Sequence, residues 1–160
     1  MDQPKRPDLD DILEDLAKGA GQKIYEWGKG VHSLEACIAD ARDILECYCN
    51  EDGYELAKDF ERKGYRSDSE LVDVLDDVEA MVYDLLREAT YAWVQQNHIE
   101  LKLEVGASVS FKDHRLQQVK GEIVKQYPRT AQYGIWHEGL KGQKTIQHAV
   151  INMENVSIPA

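Results

Sequence analysis

Apolar residues recur at helical spacing through the first hundred residues and divide into four stretches. The first begins near Leu9, and the second begins near Leu34, where Ser33 is a suitable N-cap. A short third stretch, residues 54–60, is expected to end at Gly64, which can adopt the left-handed conformation. Glycines in and after the first stretch are expected to weaken or interrupt the segment that follows it: Gly19, Gly21, Gly28 and Gly30.

The fourth stretch gives the clearest helix signal. The sequence Ser-Asp-Ser-Glu at 67–70 has the pattern of a capping box, in which Ser67 and Glu70 each accept from the other's backbone amide. Apolar residues then recur on one face as far as Asn97. We predict one long helix over residues 67–98, roughly 45 Å in length, as the spine of the N-terminal half.

Beyond residue 100 the apolar period changes from that of a helix to that of a strand. Short runs of β-branched and aromatic residues are separated by turn residues, and they predict five strands: 105–111, 120–127, 131–137, 145–152 and 156–158. Five strands in so short a segment fit a small barrel. We therefore predict an α+β protein with an acidic helical bundle over residues 1–100 and a small β-barrel over residues 101–160.

Four motifs in the C-terminal segment carry a resemblance to a known fold. They are Val105-Gly106-x-x-Val109, Gly121-x-Ile123-Val124, Tyr133-Gly134-Ile135-Trp136 and Ile151-Asn152-Met153-Glu154-Asn155-Val156. Their order resembles the strand order of SH3-like barrels of the KOW and Tudor kind. The resemblance covers about the last 60 residues and implies a small five-stranded barrel.

The whole arrangement also resembles that of small phage and prophage proteins. In those proteins an acidic helical part leads into a small barrel through a motif similar to Ala92-Trp93-Val94-Gln95-Gln96-Asn97. This resemblance implies a role in interaction with a host and implies no catalytic residues.

Charge is divided unequally between the two segments. Residues 1–100 contain 25 Asp/Glu and 11 Lys/Arg, a net charge of −14, whereas residues 101–160 contain 5 Asp/Glu and 8 Lys/Arg, a net charge of +3. Nucleic acids and anionic membranes repel a chain this acidic, and basic protein surfaces attract it. The short apolar runs and the polar N-terminus predict a cytoplasmic protein without a membrane segment.

No sequence motif specifies a reaction, so we do not expect an enzyme. The three cysteines, Cys37, Cys47 and Cys49, all fall in a predicted helical stretch, and we interpret them as reduced thiols. On a continuing helix Cys47 and Cys49 would point about 200° apart and could not share a zinc ion. We therefore predict neither a metal nor a cofactor.

The long helix carries an unusual excess of acidic residues. Between Ser67 and His98 its only basic residue is Arg87, and like charges recur four residues apart, which is unfavourable for an isolated helix. A solvated face of a well-packed helix would explain this pattern. The functional interpretation is a surface that binds and modulates a basic host protein, such as a nucleic-acid-binding or defence protein, through Asp73, Asp76, Asp77, Asp84 and Glu88.

An alternative function is nucleic-acid binding through the predicted barrel. Basic residues lie among aromatic residues there, a combination that binds single strands. The candidate residues are Lys120, Lys125, Arg129, Tyr133 and Trp136. The small positive excess and the attached acidic segment both oppose this alternative.

Overall fold

The computed structural model describes residues 4–48, 51–113, 115–141 and 148–159. Over these residues four helices are followed by a five-stranded antiparallel sheet, which confirms the predicted α+β class. The chain divides into two compact units, Met1–Ala89, here called the helical unit, and Thr90–Ala160, here called the β unit. This division lies within the fourth helix, whereas the sequence pattern changes near residue 100.

The helix limits follow from local capping interactions. The four helices are α1 Leu9–Trp27, α2 Leu34–Leu45, α3 Gly53–Arg62 and α4 Ser69–Gln96. Ser33 Oγ accepts a hydrogen bond from the Ala36 amide at 3.2 Å, as expected of the N-cap of α2. Gly64 follows α3 with φ +93°, so the predicted left-handed end of this helix is also confirmed.

The predicted interruption of the first helix at Gly19 and Gly21 is wrong. Helix α1 runs through both glycines for 19 residues. A Cβ at Gly21 would lie 2.7 Å from Ile38 Cα in α2, and a Cβ at Gly19 would collide with the Met81 side chain in α4. These glycines therefore allow neighbouring helices to approach closely, and the helix ends only at Gly28.

The predicted capping box of the fourth helix is also wrong in its residues. The Asp68 carboxylate accepts the hydrogen bond from the Leu71 amide at 2.9 Å, so the capping residue is one position later than Ser67. The helix begins at Ser69, and the Glu70 side chain is left on its exposed surface.

The apolar faces of the four helices share one core. Its largest fully buried members are Leu16, Ile24, Leu45, Leu56, Phe60, Leu71, Leu75 and Val78. Burying each such side chain stabilises the fold by about 1.5–3 kcal/mol. Lys23 faces Asp77 and Gly19 faces Met81, so α1 and α4 run antiparallel in this core.

Tyr65 extends this core just after α3. Its ring packs edge-on against Phe60, and its hydroxyl donates a hydrogen bond to Asp40 Oδ2 at 2.8 Å. Burial, reinforced by this carboxylate, raises the pKa of the Tyr65 hydroxyl above its ordinary value of 10.0. The neutral form of the tyrosine is therefore the form that the fold stabilises.

The β unit is built on the strand order β4-β3-β2-β1-β5. The strands are β1 Ser108–Lys112, β2 Gln118–Tyr127, β3 Gln132–Trp136, β4 Ala149–Asn152 and β5 Val156–Ser157. Strands β4 and β5 are the two edges, so the sheet of the described residues is not closed. The first half of β2 pairs with β1 and its second half pairs with β3, with a bulge between Ile123 and Lys125.

One face of this sheet covers a small apolar core. Its buried members are Val109, Phe111, Ile123, Tyr133 and Ile135. The Tyr133 hydroxyl accepts a hydrogen bond from the Leu103 amide at 3.0 Å, and the Gln126 side chain donates to the Leu103 carbonyl at 2.7 Å. The segment before β1 is thereby fixed to the sheet.

None of the helices in the described residues combines the length and the apolarity needed to cross a bilayer.

Replacing Gly21 by alanine is expected to destabilise the helical unit, although alanine usually favours a helix by about 1 kcal/mol over glycine. The new Cβ would lie 2.7 Å from Ile38 Cα, and backbone cannot move aside without separating α1 from α2. We expect urea denaturation to show a loss of about 1–3 kcal/mol, as in other overpacked cores. Gly19→Ala is the control, because it meets only the flexible end of Met81 and should cost less. Increased stability of Gly21→Ala would contradict this packing.

Stability is also expected to fall above pH 10. The folded protein holds the Tyr65 proton more tightly than the unfolded chain, whose tyrosine titrates near its ordinary pKa of 10.0. The contribution of Tyr65 is therefore complete below pH 10 and decreases above it, by up to about 1.4 kcal/mol per pH unit. Tyr65→Phe lacks this proton, so its free energy of unfolding should fall less between pH 10 and 11. Equal decreases in both proteins would show that Tyr65 is not responsible.

Candidate functional site

Five exposed carboxylates lie on the outer side of α4, and we call them the acidic stripe: Glu70, Asp73, Asp77, Asp84 and Glu88. At about 100° per residue they fall within an arc of about 60°, and at about 1.5 Å per residue they span about 27 Å. Four of them were predicted from the sequence. Glu70 was assigned instead to the capping box, but because Asp68 replaces Ser67 as the capping residue, the amide that is capped is that of Leu71 and not that of Glu70.

The orientation of the acidic stripe is set by the opposite side of α4. Leu71, Leu75, Val78 and Val82 are all buried in the helical core. They recur at helical spacing, so burying them fixes the rotation of α4 about its axis. The carboxylates on the other side are consequently directed to solvent.

Asp76 does not belong to the acidic stripe. Its Oδ1 accepts a hydrogen bond from the Gly53 amide at 2.9 Å, at the first residue of α3. A Cβ at Gly53 would lie 2.6 Å from the Asp76 backbone N, so the start of α3 is pressed against α4 here. A carboxylate at a helix N-terminus also interacts favourably with the helix dipole. Asp76 therefore joins two helices through one carboxylate oxygen, and its predicted contact with a partner stays a prediction.

Two cations partly neutralise the acidic stripe. Lys23 Nζ lies 2.7 Å from Asp77 Oδ2. Arg87 lies 2.9 Å from Asp84 through Nη2 and 3.7 Å from Glu88 through Nε. All of these side chains are well exposed, and exposed ion pairs contribute only about 0–1 kcal/mol. A cation of a partner could therefore replace Lys23 or Arg87 at little cost.

The remaining two members of the acidic stripe are less compensated. Within the described part of the chain, Glu70 and Asp73 form no ion pair with a basic residue. The stripe therefore contains five carboxylates and two adjacent cations. The surrounding helical unit contains 24 Asp/Glu and 11 Lys/Arg, a net charge of −13, so the local excess is part of a wider negative field.

The structure changes the second candidate surface, on the β unit. Tyr133 is only 2% exposed and belongs to the core, so it is not available to a ligand. Trp136 is 42% exposed and lines, together with Lys120, a depression of about 430 Å³. Lys125 lies with its Nζ 4.8 Å from the centre of another aromatic ring, that of Tyr127.

Arg129 has an aromatic partner that the sequence did not suggest. Its guanidinium carbon lies 4.3 Å from the centre of the Tyr91 ring, a cation–π distance. Tyr91 falls in the last turns of α4, where the sequence offered only helical periodicity. The spacing between residues 91 and 129 gave no signal of this contact.

The cysteines do not lie as the sequence suggested. Cys37 is buried in α2, but α2 ends at Leu45, and Cys47 is exposed beyond it. The prediction that all three cysteines lie in a helix is therefore wrong at Cys47, and Cys49 falls outside the described residues. Among the residues that the structure describes, no three His, Cys, Asp or Glu side chains form a group that could hold a metal ion.

Comparison with known proteins does not assign this chain to a family. No protein-family model matches this chain, and neither curated proteins nor solved structures match it significantly. Functional inference therefore depends on the surfaces described above.

Asp76→Ala and Asp73→Ala are expected to affect stability differently. Asp76→Ala leaves the Gly53 amide without its acceptor and removes a hydrogen bond to a charged group, which costs about 1.5–3 kcal/mol. Asp73 is exposed, and its loss should change the free energy of unfolding by less than about 0.5 kcal/mol. Urea denaturation of both variants tests the distinction. Similar stabilities would argue against a structural role for Asp76.

Proposed function

We propose that this protein is a non-enzymatic interaction protein that binds a basic protein surface through the acidic stripe. The observation that supports it is the set of five exposed carboxylates on one side of α4, whose ion pairs within the described residues are those with Lys23 and Arg87. Such an arrangement attracts a basic partner over a distance of several ångströms and increases the rate of encounter.

The charge spacing favours a protein partner over close imitation of a nucleic acid. Five carboxylates over about 27 Å give roughly one charge per 5–7 Å, whereas duplex DNA has about one per 1.7 Å. The stripe is thus a sparse polyanion. A nucleic-acid-binding or defence protein of the host presents a basic surface of the required sign, and modulation or inhibition of such a protein is the role we propose.

The proposal includes the finer features of the fold. The helical unit is then an acidic bundle, and the β unit is an SH3-like barrel. The protein itself is cytoplasmic and phage-encoded. The return of β5 to β1 supports the barrel, as does the division of β2 between two neighbours, because a small barrel needs strongly bent strands. The phage origin is supported only by the resemblance of the chain to small phage proteins.

A second candidate function is single-strand binding by the β unit. The stacking of Arg129 on Tyr91 and of Lys125 on Tyr127 favours it, because cations and aromatic rings together bind unpaired bases. The β unit contains 6 Asp/Glu and 8 Lys/Arg, an excess of only +2, while the helical unit carries −13. This balance makes it the weaker of the two candidates.

Charge reversal of the acidic stripe tests the proposed function. Asp73→Lys/Glu88→Lys should lose most of the proteins captured from a nuclease-treated bacterial lysate, and capture by the unmodified protein should decrease as salt rises. The matched control is Glu46→Lys/Glu61→Lys, which makes the same change of net charge at exposed positions outside the stripe. We expect at least about a tenfold difference in captured partner between the two variants.

Two outcomes would contradict the proposed function. Equal loss of capture in both variants would show that net charge alone is involved. Retention of single-stranded DNA by the unmodified protein in a gel shift, lost on Lys125→Ala/Arg129→Ala but not on stripe reversal, would favour the β unit instead.

A further inference from the structure

A cavity of about 260 Å³ adjoins the N-terminal end of the acidic stripe. It lies where the end of α1, the turn into α2 and the start of α4 meet. The residues that define it are Trp27, Val31, His32, Arg66, Asp68 and Glu70. Glu70 is thus a member of both the cavity and the stripe.

One wall of this cavity, formed by Trp27, Val31 and His32, is largely apolar and is supported by the helical core. Trp27 packs against the helical core, and the His32 ring lies 4.3 Å from the ring of the buried Tyr65. Val31, another residue of the cavity lining, is 80% exposed and leaves an apolar side chain open to solvent. An apolar wall within a polar rim is the arrangement that anchors a single side chain of a partner.

The rim charges indicate what the cavity selects. Lys29 and Arg66 oppose Asp68 and Glu70, and Arg66 Nε lies 3.9 Å from Asp68 Oδ2. The rim is therefore close to neutral and offers no preference for a cation. Its volume is also below the roughly 300–1,000 Å³ of a typical small-molecule site, which suits one side chain.

We propose that this cavity receives one large apolar side chain of the basic partner, while cations of the same segment contact the acidic stripe. The inference depends on the proposed function, because the stripe supplies the charge complementarity. Asp73 and Asp77 follow Glu70 by about 5 and 10 Å along α4. The partner segment is accordingly a basic amphipathic helix with an apolar anchor and cations one and two turns beyond it.

A pair of synthetic peptides tests this inference. Both are labelled, alanine-based helical peptides with lysines four and seven residues after the anchor position, which holds leucine in one and alanine in the other. Fluorescence anisotropy with the full chain should show the leucine peptide binding about tenfold more tightly. Val31→Asp should abolish this preference, because it places a charge beside the anchor at an exposed position that the core does not need.

Val105→Asp is the matched control, since Val105 is also a largely exposed valine, 60% accessible, but lies in the β unit. The Val105→Asp variant should keep the tenfold preference for the leucine peptide over the alanine peptide. Asp73→Lys should weaken both peptides by the same factor and leave their ratio unchanged, because Asp73 belongs to the stripe and not to the cavity.

The outcomes separate the cavity from the stripe. Salt-sensitive binding of both peptides with equal affinity would overturn the cavity proposal and leave the acidic stripe standing. A leucine preference that persists in Val31→Asp would also overturn it. Binding that is insensitive to Asp73→Lys would overturn the stripe instead. Sedimentation that shows dimers of the unmodified protein, converted to monomers by Val31→Asp, would assign the cavity to a second copy of this chain and overturn the proposal.

Discussion

Burial of one side of α4 is the constraint on which the helical unit depends. Leu71, Leu75 and Val78 are almost inaccessible to solvent, and together they contribute several kcal/mol. Like charges four residues apart oppose an isolated helix by only a few tenths of a kcal/mol per pair. The apolar contribution is larger by an order of magnitude, so the sequence is free to place several carboxylates along the outer side.

The same comparison of magnitudes distinguishes the ion pairs of the acidic stripe from the contact that Asp76 makes. Its ion pairs with Lys23 and Arg87 are exposed and weak, whereas the hydrogen bond of Asp76 to the buried Gly53 is partly buried where α3 begins against α4. Carboxylates on one helix thus have two different roles, set by what lies opposite each. In the proposed function, a basic partner would compete along the stripe with solvent and weak ion pairs, without disturbing the packing of α3.

The sequence pattern was sufficient for the class and order of elements, because apolar periodicity reports which face of each element is buried. It failed where a contact between distant residues decided the outcome. Gly19 and Gly21 have low helix propensity but lie at close approaches of α1 to its neighbours. Tyr133 looks like a surface residue in sequence but is buried, and the hydrogen-bond partners of Asp76 and Tyr133, Gly53 and Leu103, are more than 20 residues away. The cavity beside Glu70 and the contact of Arg129 with Tyr91 had no sequence signal, because separate segments of the chain form each of them.

The bulge in β2 lets the strand bend while the same residues stay on the core face of the sheet. Before the bulge Ile123 pairs with the buried Ile135, and after it Gln126 pairs with the buried Tyr133. The positions of β2 that face the core therefore change from odd to even numbers at Val124. The extra residue adds bend and twist without moving any core residue to the outer face. Loss of Val124 would leave the same residues inside a straighter strand. The shape of this sheet can thus vary through chain length at one position while its interior stays the same.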